Sequence, residues 1–376
     1  MEDVDVIVVG AGIVGLAHAW SAAKRGQSVL VCERSGRAEG ASIRNFGMIW
    51  PVGQPAGACH ETALCSRAAW NELHQQAGVW VDACGSIHVA HRQDEWAVLE
   101  EFAQRGPALG YEVRLLTRDE VLAASPAANS NGLRGGLWSP TELCVDPRAA
   151  LPSIAGWLQE RHGVRFHFNT LVRAADASGV ETSDGRRFRA ERTIVCGGAD
   201  FETLFPELLA ASGLRRCKLQ MMRTRPQPDG WRIGPHLASG LTLRHYRNFE
   251  ICDALAPLKQ RVRDESPELD RYGIHVMASQ NRLGEVVLGD SHEYGDEISP
   301  FDKTQIDELI LRELRPLVNL RDWTIAERWS GIYAKHASEA QFVAEPLPGV
   351  HIVTATGGAG MTMSFGLAEE NWRRWS

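Results

Sequence analysis

The chain has 376 residues, with 47 acidic side chains against 40 basic ones and a formal net charge of -7. That length exceeds one small core and suits two joined domains. The acidic balance, with no dense run of lysine or arginine, excludes a phosphate-tracking nucleic-acid surface. No apolar run reaches membrane-spanning length and no signal or transit peptide fits, so a soluble, cytoplasmic protein without a membrane partner is expected. The cysteines at 32, 59, 65, 84, 144, 196, 217 and 252 form no C-x-x-C pair. The thirteen histidines show no H-E-x-x-H or comparable spacing. Neither a disulfide framework nor a metal site is therefore expected, and buried free thiols are the default.

The first predicted strand, Val4 to Val9, runs into Gly10-Ala11-Gly12-Ile13-Val14-Gly15 and an alanine-rich helix, Ile13 to Arg25, that Gly26 stops. The next strand, Ser28 to Glu33, ends on an acid, with Arg34 beside it. This is the dinucleotide fingerprint in its full βαβ context. Gly10 permits the tight turn, Gly12 the approach of a pyrophosphate to the backbone, and Gly15 close packing of helix on strand, while Glu33 suits the ribose hydroxyls. Unpaired amides and the positive end of the helix dipole favour the phosphates there.

A glycine-rich polar loop follows, Gly40-Ala41-Ser42-Ile43-Arg44-Asn45-Phe46-Gly47, and then a helix from about Pro55 to Gln76. Residues 92–105 and 118–124 read as short helices around a strand from Tyr111 to Leu116. Val145-Asp146-Pro147 starts a helix that runs to His162. Arg165 to Asn169, Val180 to Ser183 and Phe188 to Ala190 read as a small antiparallel meander. Thr193 to Gly198 reads as a buried strand of a parallel sheet. From Lys218 to about Trp323 the pattern becomes alternating strands, including Leu241 to Tyr246, Ile274 to Ala278 and Glu285 to Leu288, with a helix near Lys303 to Leu314. The chain returns with a strand, Val350 to Thr354, into a second glycine-rich helix start, Ala355-Thr356-Gly357-Gly358-Ala359-Gly360-Met361-Thr362.

No repeat or Gly/Ser/Pro linker divides the chain, so the domains are expected to interleave. The fold class expected is α/β: a Rossmann-type FAD-binding domain, glutathione-reductase-like, interleaved with an α+β substrate domain on a mostly antiparallel sheet. The expected boundaries are 1–84, 141–216 and 327–376 for the first domain, and 85–140 and 217–326 for the second. The first βαβ unit alone also suits an NAD-dependent dehydrogenase, whereas the meander and the returning C-terminal strand argue for FAD.

Taken together, these parts resemble the FAD-dependent oxidoreductases of the D-amino-acid oxidase, glycine oxidase and sarcosine oxidase group. The residues that carry the resemblance span nearly the whole chain: Gly10/Gly12/Gly15 with Glu33, Gly40 to Gly47, Val145-Asp146-Pro147, Ile194 to Gly198, Trp329-Ser330-Gly331, and Ala355 to Gly357. The resemblance implies an extended FAD with substrate against its ring. It implies Ser42, Arg44, Asn45, Phe46, Gly47 and Met48 along the pyrophosphate and ring, and Val172 at the adenine through its backbone. It further implies Gly197, Gly198 and Gly331 near the cofactor. The second helix start, Gly357 to Thr362, would lie beneath the flavin, where its dipole stabilises negative charge on the reduced ring. Some relatives tether FAD to a cysteine near this segment. The last cysteine here is Cys252, so noncovalent FAD is expected.

Two departures from the family pattern bear on substrate. Amino-acid-oxidising relatives carry an arginine after Trp-x-Gly that forks onto the substrate carboxylate, and the corresponding residue here is Tyr333. The sarcosine oxidase branch uses a lysine in the C-terminal glycine stretch, where Thr362 stands. With both carboxylate anchors replaced, Lys335, His336, Arg244 and Tyr246 are the candidate substrate contacts, and Trp50 a candidate for the dry wall. A compact ammonium with several donors suits a tetrahedral dianion. Ile43 to Pro51 also resembles a branch of the family associated with phosphonate breakdown. The expected activity is oxidation of a small, anionic primary or secondary amine, with dioxygen as acceptor and a 2-aminoethylphosphonate derivative, N-methylated or hydroxylated, as substrate. The chain nominates no acid or base, since the flavin carries the redox step. The alternatives are a glycine, sarcosine or D-amino-acid oxidase or dehydrogenase, and a non-catalytic dinucleotide-binding module. Oligomeric state stays open.

Overall fold

The computed structural model describes residues 2–375 and contains three sheets. The first holds the parallel strands expected of the fingerprint, in the order Arg165–His167, Val29–Cys32, Glu2–Val9, Arg187–Val195 and Val350–Thr354. Val6, Ile7 and Val8 are all fully buried, as are Val29 to Cys32, because helices and strands cover both faces. A continuous apolar run is the sequence signature of such a doubly covered strand.

Contrary to the sequence expectation, Arg165–His167 is not part of the meander: it pairs in parallel with Val29–Cys32, at the edge of the main sheet. The meander consists instead of Val172–Asp176, Gly179–Thr182 and the first half of Arg187–Val195. That last strand is one continuous element, whose second half lies between Glu2–Val9 and Val350–Thr354. The meander is thus an extension of a central strand.

The second sheet has nine strands, and every pairing in it is antiparallel except that of Ser86–Ala90 with His236–Ala238. Its longest strands, Arg215–Pro226 and Ile325–Lys335, pair along most of their length, and the second of them straddles the boundary expected at 326/327. The predicted strand Leu241 to Tyr246 is not one. Residues Gly240–Arg244 and Arg247–Ile251 form two short 3-10 turns. Gly240 accommodates the Glu95 side chain where a Cβ would stand 2.1 Å from its carboxyl carbon, so a tertiary contact overrides the local alternation. A helix over Leu255–Glu265 adds to the elements expected from the sequence.

The helix Ile13–Lys24 packs on the C-terminal helix Gly360–Trp375. Glu369 joins them, accepting from Ser21 Oγ at 2.7 Å and from Arg25 Nη2 at 2.9 Å. The two glycine-rich helix starts are thereby held side by side. Among the described residues no helix is long and apolar enough to cross a membrane. All eight cysteines are free thiols, and five of them are buried.

Candidate active site

The parallel strands end together, and the residues that follow them meet. After Val9, Cys32, Val195 and Thr354 come Gly10, Glu33, Cys196 with Gly197, and Ala355, all lining one cavity of about 970 Å³. Ligands of open α/β sheets bind at this carboxyl edge, and the volume lies at the upper end of small-molecule sites, about 300–1,000 Å³.

The first glycine turn is shaped for close approach. Gly10 has φ +105°, and a Cβ on it would stand 2.5 Å from Cys196 O. A Cβ on Gly15 would stand 1.9 Å from Gly10 O. The helix start carries no cap of its own: Gly12 is the N-cap residue, and Ser42 Oγ, from the following loop, accepts from Ile13 N at 3.0 Å. Glu33 is fixed at the turn by Ala11 N at 2.9 Å and Ser35 N at 3.0 Å. Arg34, at the rim, pairs with Asp200 at 2.8 Å. These features fit an extended dinucleotide, with phosphates over the glycine turn and ribose hydroxyls at Glu33.

The loop Gly40 to Met48 holds its form through Asn45. Its Nδ2 donates to Ala41 O and Ser42 O at 3.0 and 2.9 Å, and its Oδ1 accepts from Gly47 N at 2.8 Å. Gly47, at φ +73°, lets the loop press on Val145 O, where a Cβ would stand at 2.1 Å. All the nominated cofactor residues line the cavity except Gly15 and Gly47, whose contribution is to let neighbouring backbone close up.

The C-terminal glycine segment forms the facing wall. Gly358 passes beside Tyr333, whose Oη would lie 3.6 Å from a Cβ there. Thr362 is buried, and its Oγ1 accepts from Trp50 N at 2.9 Å. Tyr333 is also buried, which drives its phenol pKa well above the ordinary value, and nearby Cys217 and Tyr294 push the same way. Lys335 donates to Tyr294 Oη at 3.2 Å. His336 accepts from the amides of its own turn, Ser338 N and Glu339 N, at 3.3 and 3.2 Å. Trp50 and Tyr246 face each other with ring centroids 6.2 Å apart. Of the nominated substrate contacts, Tyr333, Lys335, His336, Tyr246, Thr362 and Trp50 line the cavity. Arg244 does not: its guanidinium turns away, to the Asp270 carboxylate and to Ile274 O at 2.7 Å.

A titratable cluster that no sequence motif announces occupies the same wall. His245, His275, His292 and Asp290 line the cavity together, with ligand atoms of the three histidines within 4.8 Å of one another. Burial depresses all three imidazoles, His245 and His275 strongly and His292 to about 4, and it raises the Asp290 carboxyl. The set is neutral as it stands. Spacing along the chain cannot reveal it, because the hairpin Met277–Gln280/Glu285–Gly289 carries His275 and Asp290 to its open end. The one available signal is a histidine flanking each side of a strand–turn–strand pattern.

Comparison with known proteins agrees with this geometry. The profile of the family described as DAO, FAD dependent oxidoreductase, matches residues 5–370. One of the two chains named for opine oxidase in Agrobacterium tumefaciens is 23% identical over 395 residues, covering 98% of this chain and 92% of that protein. The mouse mitochondrial pyruvate dehydrogenase phosphatase regulatory subunit is 25% identical over 203 residues, and the match spans 51% of this chain but only 23% of that longer protein. Among solved structures, glycine oxidase from Geobacillus kaustophilus superposes with a TM-score of 0.79 at 19% identity, covering 100% of this chain and 96% of that one.

Proposed function

Because the chain belongs to the DAO family of FAD-dependent oxidoreductases, we propose that it oxidises a small amine carrying an anionic group other than an α-carboxylate. The product is an imine that hydrolyses to an aldehyde, and dioxygen is the acceptor that yields hydrogen peroxide. The substrate class that fits best is a 2-aminoethylphosphonate derivative, N-methylated or hydroxylated. The observation that carries this reading is the cavity wall itself. Where the family resemblance calls for a guanidinium stands the buried phenol of Tyr333, and where it calls for a lysine stands Thr362, already committed to Trp50 N.

Bound noncovalently, FAD supplies a two-electron oxidant for the carbon beside the substrate nitrogen. The protein supplies position and dryness. Trp50, Tyr246 and Tyr333 line the cavity and are buried or half-buried. A low-polarity wall of this kind lowers an ammonium pKa and favours the neutral amine that oxidation requires. Lys335, with Arg216 and Arg247 on the same cavity, provides positive charge for a tetrahedral dianion.

The test is anaerobic bleaching of the flavin by N-methyl-2-aminoethylphosphonate, 2-aminoethylphosphonate, sarcosine and glycine, side by side. The expected outcome is bleaching by a phosphonate alone. Bleaching by glycine or sarcosine would place a carboxylate anchor somewhere other than Tyr333 and Thr362 and overturn the reading.

A further inference from the structure

Three imidazoles and a carboxylate converge on the cavity wall, and amine oxidation as proposed above does not call on them as a set. His275 and Asp290 sit opposite each other at the hairpin's open end, Asp290 N donating to His275 O at 2.9 Å and His275 N to Asp290 O at 3.3 Å. His292 lies two residues further on, and His245 follows the turn Gly240–Arg244. His275 Nε2 is 3.4 Å from Asp290 Oδ1, and His292 Nε2 is 3.9 Å from Asp290 Oδ2. Neither approach is a formed hydrogen bond. Both ring nitrogens of His275 and Oδ1 of Asp290 are buried without a partner, although His275 is 2% and Asp290 5% exposed. Buried polar atoms are almost always satisfied, so three bare ones on one cavity wall point to a missing ligand.

We propose that His245, His275, His292 and Asp290 bind one divalent transition-metal ion of the zinc type. Three imidazole nitrogens and one carboxylate oxygen are a zinc donor set. His292 is already oriented as such a ligand. Its Nδ1 lies 3.0 Å from Gly273 O, and since a carbonyl only accepts, Nδ1 carries the proton and Nε2 keeps the lone pair that faces Asp290. A backbone carbonyl behind the liganding imidazole is the usual outer support of a metal site. Bonds of about 2.0–2.1 Å set tetrahedral ligands about 3.4 Å apart, so the trio must draw in from its present spread. His245 is the residue placed to do so, being half-buried and engaged in ring contacts but in no side-chain hydrogen bond. Direct anion binding by the same cluster is disfavoured, because Asp290 stands among the three rings, where its charge would repel an anion. Since all four residues line the cavity, an anionic oxygen of a substrate can reach the ion as a fifth ligand. That consequence rests on the proposed amine substrate, whereas the metal site does not.

The experiment uses the FAD-loaded protein without any substrate. Chelator-treated enzyme is dialysed against Zn2+, freed of excess, and assayed for metal per chain by mass spectrometry, with affinity from competition against a chromogenic chelator. About one Zn2+ per chain is expected, with affinity falling at least 100-fold in His275→Gln and His292→Gln and unchanged in His91→Gln, which lies away from the cavity. Co2+ loading of the wild type gives a second readout independent of how the variants fold: tetrahedral ligand-field bands on the long-wavelength side of the flavin absorption. Retention of Zn2+ no greater than in the histidine variants, or a Co2+ spectrum of the aquated ion, would overturn the proposal. So would inorganic phosphate binding to chelator-treated enzyme that is lost in His275→Gln, since the cluster would then hold an anion unaided.

Discussion

Thr362 Oγ1 accepts the backbone N–H of Trp50 at 2.9 Å, joining the C-terminal helix to the loop that closes the cavity more than three hundred residues earlier. Both residues are buried. Removal of the hydroxyl strands a buried donor, which costs about 1–3 kcal/mol. Thr362→Val should therefore lower the thermal midpoint by several degrees and weaken FAD retention, while Thr362→Ser keeps both near wild type. Thermal unfolding followed by flavin fluorescence checks this, and equal behaviour of the two variants would show that the bond carries nothing.

Gly15 is the tightest of the cradle glycines, with Gly10 O only 1.9 Å from where a Cβ would stand. The obstacle is backbone at the cofactor turn, so no side chain can swing aside to relieve it. Gly15→Ala should give protein that purifies with little or no flavin. The ratio of absorbance at the flavin band to that at the protein band measures it. Gly26→Ala serves as comparison: that position has φ +76° but open space around it, so strain of about 1 kcal/mol should leave cofactor content intact.

Residues 2–33 are legible in the sequence because everything they do is local. A doubly buried strand reads as an apolar run, and the glycines sit at the spacing the turn demands. The place of Arg165–His167 is not legible, because its partner, Val29–Cys32, lies far back along the chain, and nothing local separates an edge strand of a parallel sheet from the start of a meander. Leu241 to Tyr246 alternates like a strand, yet Leu241, Thr242 and Leu243 are all buried, which no single sheet face requires. Its shape is set by Glu95 against Gly240. The histidine cluster stays hidden for the same reason, since a hairpin and a turn from separate stretches assemble it.

Four buried imidazoles make stability depend on acid. Desolvation lowers His18, His236 and His292 to about 4 and His88 to about 3, each from an ordinary 6.5. Below pH 6.5 the unfolded chain takes up protons that the folded chain refuses, so unfolding is favoured as pH falls. The stabilisation is complete above pH 6.5 and is lost as pH drops toward 4, each group costing about 1.4 kcal/mol per pH unit within that window. Denaturant midpoints should fall steeply between pH 6.5 and 5 and change little from 7 to 8. A flat profile from 6.5 to 5 would mean that these histidines titrate normally in the fold.

Lys335 is the cation most directly tied to the proposed substrate, because it follows Tyr333 by two residues on the strand Ile325–Lys335 and so shares its face of the sheet. Its ammonium rests on Tyr294 Oη at 3.2 Å, a neutral partner that leaves the charge uncompensated by that contact. Loss of one charge-assisted hydrogen bond to a dianion costs about 1.5–3 kcal/mol when buried, and less at this exposed position. Lys335→Gln should raise KM for an aminophosphonate about 10-fold, with kcat within about 2-fold of wild type, since the lost contact binds ground state and transition state alike. An uncharged amine of similar size, such as N-methylpropylamine, should show no KM change between the two proteins. A fall in kcat with KM unchanged would move Lys335 from holding the anionic end of the substrate to the reacting centre.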